Sequence, residues 1–154
     1  MKSNYKPPTI KAGIYIKSTA ALKGNFFEHS TILIVEHNEE GSIGFVTNKS
    51  FGKSLHELIE FKHSKPFPLM DGGPVDRDHL FILHKRPDLI DEGKQIPNGL
   101  YFGGNMAQVV EAINTRVAGK EEIQVFIGYC GWDLGELEAE IEEGSWTLSE
   151  NQPI

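Results

Sequence analysis

Residues 128–146, Gly-Tyr-Cys-Gly-Trp-Asp-Leu-Gly-Glu-Leu-Glu-Ala-Glu-Ile-Glu-Glu-Gly-Ser-Trp, restrict this chain more than any other stretch. The apolar run Ile123–Ile127 reads as a buried strand that turns through glycines into a short acidic helix. Both tryptophans of the protein bracket that helix. Asp133 is placed to cap it, Leu134, Leu137 and Ile141 form its apolar stripe, and Gly144 ends it. The glycines and Trp132 then shape a strand-to-helix corner, and any site should have that corner as one wall with Asp71–Val75 opposite.

Upstream, Thr31–Glu36 is a continuous β-branched run, the pattern of a strand covered on both faces, and Ser42–Asn48 reads as its partner. The five polar residues His37–Gly41 join them as a hairpin. Further strands are expected over Ala12–Ser18, His79–His84 and, weakly, Leu100–Phe102, with an extended, turn-interrupted piece over Leu69–Val75. Ser54 and Glu57 match a capping box, which predicts a short helix through about Phe61. Asn105 with Gln108 caps a second helix, whose face carries Val109, Ala112, Ile113 and Val117 before Gly119. Residues 85–98 read as loop. Strands and helices mix without βαβ alternation, so the expected class is α+β with a largely antiparallel, curled sheet.

At 154 residues the chain has the length of one domain, expected over 12–154 behind a polar arm at 1–11. No apolar run approaches a bilayer's thickness, and no hydrophobic segment follows the N-terminal lysine, so a cytoplasmic protein with no membrane association is expected. The lone cysteine, Cys130, excludes an internal disulfide. All 15 Lys and Arg lie in residues 1–120 with 13 acids, whereas residues 121–154 hold 9 acids and no base. An acidic C-terminal quarter repels phosphate backbones, which argues against direct nucleic-acid binding.

The motifs exclude more chemistry than they offer. No phosphate-binding loop, dinucleotide fingerprint or nucleophile elbow is present. His56-Glu-Leu-Ile-Glu60 begins like a zinc-protease helix but has Glu60 where the second ligand histidine belongs, so neither a metal nor another cofactor is expected. Cys130 reads as an inert buried thiol in acidic surroundings. His84 closes a strand beside Lys85 and Arg86; it is either a histidine bonded to backbone or an acid, base or ligand. Glu136, Glu140 and Glu143 share a helical face, either solvated or awaiting a cation or basic partner. Asp71-Gly-Gly-Pro-Val75 is a tight turn or a backbone nest for an anionic group.

Taken together, Ala12–Ser18, the Thr31–Asn48 hairpin with Gly41, Gly44 and Asn48, Gly72–Val75, Leu83-His84 and Gly128–Trp132 with Leu137, Glu138 and Glu140 resemble the AlgH/YqgE family. The resemblance spans about residues 12–146. It implies a bifurcated sheet bent into a pseudo-barrel in a bacterial cytosolic protein, and it brings no established activity. Part of that family carries a transcriptional-regulator label, yet no helix-turn-helix or basic recognition helix is visible here, so a transcriptional effect is expected to be indirect. Lys49-Ser50 stand where the family usually has Arg-Pro, and Glu136 where it has Gln, so a role needing an arginine fork or a neutral amide does not carry over. The family also commonly continues past Gly-Ser-Trp, so this chain is either truncated at the C-terminus or short-tailed.

These readings favour a binding or regulatory domain for a protein or small-molecule partner, with a surface built from Asn48, Gly72, Gly73, Pro74, His84, Gly128, Gly131 and Trp132. The alternative is a hydrolase-like enzyme using His84 with Glu136 or Glu140, and a further one is a direct transcriptional regulator. Partner identity and oligomeric state stay open.

Overall fold

The structure, a computed structural model, describes residues 9–150. Most of the expected N-terminal arm, residues 1–8, lies outside the described part.

Among the described residues, ten strands and two α-helices make up the fold. In chain order they are β1 Tyr15–Ser18, β2 Thr31–Asn38, β3 Gly41–Val46, β4 Ser50–Ser54, β5 Pro68–Asp71, β6 Val75–His84, β7 Lys94–Ile96, β8 Leu100–Phe102, α1 Met106–Asn114, β9 Ile123–Asp133, α2 Glu136–Glu142 and β10 Trp146–Ser149. The sheet runs β10-β1-β2-β3-β9-β6-β8-β7, with β5 on β9 and β4 on β5. All pairings are antiparallel except β5 with β9. The result is an α+β half-barrel, a curled sheet with a helix on each of two outer patches.

β9 organises the sheet because it has different neighbours along its length. One edge carries β6 from Val75↔Tyr129 to His84↔Ile123. The other edge carries β5 through Leu69↔Val125 to Asp71↔Ile127, then β3 from Gly44↔Cys130 to Gly41↔Asp133. The sheet therefore forks at Gly128. The strand here is eleven residues long, so the glycines at 128 and 131 lie inside it, and the strand-to-helix corner falls later, at Leu134-Gly135.

Three apolar clusters follow from this curl. Leu33, Val35, Phe45, Leu83, Ile96 and Phe126 fill its interior, with Phe45 and Phe126 stacked at 4.8 Å. Ile32, Ile34, Cys130 and both tryptophans pack with Leu137 of α2. Val109, Ala112 and Ile113 of α1 cover Leu69, Ile82, Val125 and Ile127. β2 thus contributes to two clusters on opposite faces, as its uninterrupted β-branched run predicts.

Several local expectations are corrected. The hairpin connection is two residues, Glu39-Glu40, because His37 and Asn38 continue the ladder opposite Ser42 and Gly41. The helix expected through Phe61 is two 3-10 turns, Leu55–Glu57 and Ile59–Phe61, broken by an extended Leu58. α1 ends at Asn114, so Val117 lies beyond it and is 51% exposed. Asp133 does not cap α2: Gly135, at φ 82°, is the N-cap, and the Glu136 carboxylate reaches back to accept from the Asp133 N–H. That geometry turns Leu134 out of the stripe to 67% exposure. β7 falls in the stretch read as loop, β4 in residues 50–54, where no strand is expected, and β10 follows α2 back onto β1.

Candidate functional site

The structure distributes the residues singled out in the sequence over three places. The first is the fork. The Gly72 N–H donates to Ile127 O at 2.8 Å, and Gly72 O accepts from the Val46 N–H at 2.9 Å, so one residue joins β9 to β3. A Cβ on Gly72 would lie 2.4 Å from Gly128 O, and one on Gly73 would lie 2.3 Å from the Tyr129 carbonyl. Asp71–Val75 and Gly128 therefore meet backbone against backbone, with no gap between them as walls of a site. Asn48 is adjacent, since Lys49 O accepts from the Asp71 N–H, but its own amide accepts from the Thr31 N–H and donates to His29 O. Pro74 and Gly131 are exposed on either side.

The Cys130 thiol points into the same junction, donating to Gly72 O at 3.4 Å. Burial pushes it up to about 12, which fits a packing role rather than a nucleophile.

The second place lies beneath α2. Both indole N–H groups, Trp132 Nε1 at 3.1 Å and Trp146 Nε1 at 2.9 Å, donate to Glu140 Oε1. The tryptophans meet edge to face at 6.2 Å and are 7% and 2% exposed. Glu140 thus has a structural partner set that the three-and-four spacing of the glutamates does not reveal.

The third place is His84, at the far end of β6. Its imidazole is 1% exposed and stacks on Tyr101 at 5.4 Å. Nδ1 accepts from the Arg86 N–H at 3.1 Å, which assigns the proton to Nε2; Nε2 itself meets no hydrogen-bond partner within ordinary geometry. Burial holds this histidine below its usual range, against a smaller raising effect of the Gly103 backbone and of Asp88. His84 is opposite Ile123 and Trp132 is opposite Ser42, so nine residues of β9, roughly 30 Å of strand at ~3.3 Å each, separate His84 from the Glu140 pair. The fold does not bring His84 together with Glu136 or Glu140.

His56 and Glu60 do not share a helical face, because the chain is extended at Leu58; His56 Nδ1 bonds Ser54 Oγ at 2.9 Å. Among the described residues no group of three or more His, Cys, Asp or Glu could hold a metal ion. Among them, too, no helix is long and apolar enough to cross a membrane.

One concave surface lies outside all three places. A groove of about 670 Å³ runs between residues 57–61 and 77–80, floored by Ile82, Met106 and Ile127, a volume within the usual ~300–1,000 Å³ of binding clefts. Leu58, Phe61 and Leu80 are half-buried along its walls, while Ile59 stands at its lip, 87% exposed. Sequence reasoning missed it because a helix over 55–61 would put Leu55, Leu58 and Ile59 on one buried face. The break at Leu58 buries Leu55 and turns Ile59 outward. A second cleft, of about 430 Å³ beside Tyr15, Leu100, Lys85 and Lys120, includes His84 and Glu122 in its lining, with Glu122 already bridged to Arg86 at 3.2 Å.

Fold and surface define an α+β half-barrel whose polar centres are largely internal and whose open groove is apolar with a charged rim. The sequence model of the AlgH-like family matches residues 15–154, and the chain belongs to that family. It is 42% identical over 137 residues to a UPF0301 protein of Chlorobaculum tepidum, covering 89% of this chain and 73% of that one. A UPF0301 protein of Bacteroides fragilis is 38% identical over 127 residues, 82% of this chain and 64% of the other. The solution structure of the AlgH protein from Pseudomonas aeruginosa superposes with a TM-score of 0.73 at 25% identity, over 98% of this chain and 82% of that one. A crystal structure of a Corynebacterium diphtheriae protein matches at TM-score 0.75 and 21% identity, over 97% and 80%, a likeness of fold alone.

Proposed function

We propose that this chain is a binding module whose contact surface is the groove between residues 57–61 and 77–80. The observation that carries it is Ile59, an aliphatic side chain 87% exposed at the lip of a groove that also presents Leu58, Phe61, Leu80 and Met106. A single exposed aliphatic is ordinary, but one continuous with an apolar groove is the mark of a contact site. The residues read from sequence as a surface, Asn48, Gly72–Pro74 and Gly128–Trp132, then support the fold that presents the groove. Any effect on transcription passes through the bound partner, since Glu57, Glu60 and Asp78 on the groove's rim disfavour phosphate backbones.

A photo-crosslinking residue in place of Ile59, compared with one in place of Val117, tests this in cells. A discrete crosslinked product at 59, absent at 117 and abolished by Leu80→Asp, is expected. Identical patterns at both positions would remove the groove from consideration.

A further inference from the structure

We infer that the groove's occupant is a basic amphipathic segment of a partner protein, an apolar side chain flanked by lysine or arginine. This rests on the groove being the contact surface, and it is argued from how the rim charges are matched. Glu57 and Glu60 stand on one wall, and Arg77, Asp78 and His79 on the other. The Arg77 guanidinium is held by Asp71 at 2.7 Å and lies over the Phe51 ring, neither of which lines the groove. His79 Nδ1 is 2.6 Å from Asp76, also outside the lining. Each rim cation therefore has its own carboxylate, while among the described residues Glu57, Glu60 and Asp78 add negative charge to the rim with no cation drawn to them. Glu57 accepts the Ser54 N–H, a bond that leaves its charge in place.

The His79 pKa is raised. The Asp76 hydrogen bond and charge are the main causes that raise its proton affinity, and Asp78 and Glu60 add to them. Glu60, on the opposite wall, is the smallest of these contributions.

That charge pattern decides among occupants. A second copy docking through the same face would bring two acidic rims together, which like-charge repulsion disfavours. An acidic peptide or a phosphate-bearing ligand meets the same repulsion. An apolar side chain in the floor with cations on both flanks uses every feature of the groove.

Fluorescence anisotropy with three labelled peptides tests the inference. One has a leucine–phenylalanine anchor flanked by lysines, one the same anchor flanked by glutamates, and one keeps the lysines with the anchor changed to serines. The first alone should bind, weakening with added salt and by about tenfold in a Glu60→Lys/Asp78→Lys variant whose unfolding midpoint is unchanged. Equal binding of the glutamate-flanked peptide, or indifference to the double variant, overturns the charge argument while leaving the groove as a contact surface. Equal binding of the serine peptide overturns the amphipathic occupant. If no peptide binds, the inference falls; a product at Ile59 in the crosslinking experiment then shows that the groove reading survives it, and no product there means both fail.

Discussion

Gly72 and Gly128 meet backbone to backbone where the sheet divides, so closely that a Cβ on Gly72 would sit 2.4 Å from Gly128 O and 2.9 Å from the Phe126 Cβ. The contact lets β9 exchange β5 for β3 along one edge, because Gly72 bonds both Ile127 and Val46. Gly128 contributes its own conformation, φ 73°, and a Cβ there would meet Gly73 O at 2.2 Å.

A methyl group at the fork should therefore be costly. Gly72→Ala forces backbone apart in the core and should lower stability by roughly 1–3 kcal/mol, the usual range for overpacking. Gly119→Ala is the control, because its Cβ would meet nothing closer than 3.6 Å. Urea unfolding of the two variants gives the comparison. Equal midpoints would mean the fork relaxes around the methyl and that the glycine is not a geometric requirement.

The Glu140 carboxylate should act as a clamp on the two indoles. In Glu140→Ala both N–H donors lose a charged acceptor at a largely buried position, a loss of about 2–3 kcal/mol. Glu140→Gln retains an acceptor oxygen and should cost roughly half as much. Trp132 and Trp146 are the protein's two tryptophans, so fluorescence reads the site directly: the alanine variant should shift emission to the red. An unchanged spectrum and midpoint in Glu140→Ala would show that the clamp contributes nothing.

Cys130 is buried in the same junction, and with burial pushing the thiol up to about 12 it should be almost entirely protonated at pH 8. Alkylation of the native protein is expected to be at least about a hundredfold slower than that of the urea-unfolded chain. Comparable rates in the two states would put an accessible thiolate at this position.

The extent to which these features can be read from residues alone follows from the range of the interactions involved. Apolar runs and caps act locally, so the β2–β3 hairpin, the Asn105 cap of α1 and the terminating Gly144 are legible. The fork is not, because Gly72 and Gly128 are far apart in sequence and a glycine pair before proline reads equally as a turn or a nest. Glu140 looks solvated from its spacing because its two donors come from β9 and β10. The groove escaped for a different reason: one extended residue, Leu58, in place of another helical turn decides whether Ile59 is buried or exposed. The acidic helix α2 braces the two tryptophans through Glu140, and the groove lies elsewhere.

His84 supplies a test in pH. Its Nδ1 accepts from the Arg86 N–H, so a second proton on the ring would set two donors face to face, and burial already favours the neutral form. The folded pKa is therefore below the unfolded value, about 6.5. By linkage the folded state binds fewer protons than the unfolded chain between those two values. The contribution from His84 is thus fully present above about pH 6.5 and is lost as pH falls through the lowered folded value. His79 runs the other way, its raised pKa favouring the folded state at low pH with a loss as pH rises through the folded value. His84→Phe keeps a ring against Tyr101 and removes the titration, so wild type minus variant isolates the term. The difference in stability should shrink on acidification below pH 6.5, and NMR titration of the His84 ring should give a midpoint below that of a model histidine. A midpoint at or above the model value would mean that the buried ring accepts a proton without disturbing Arg86, and the pH dependence of stability would have to originate in other groups.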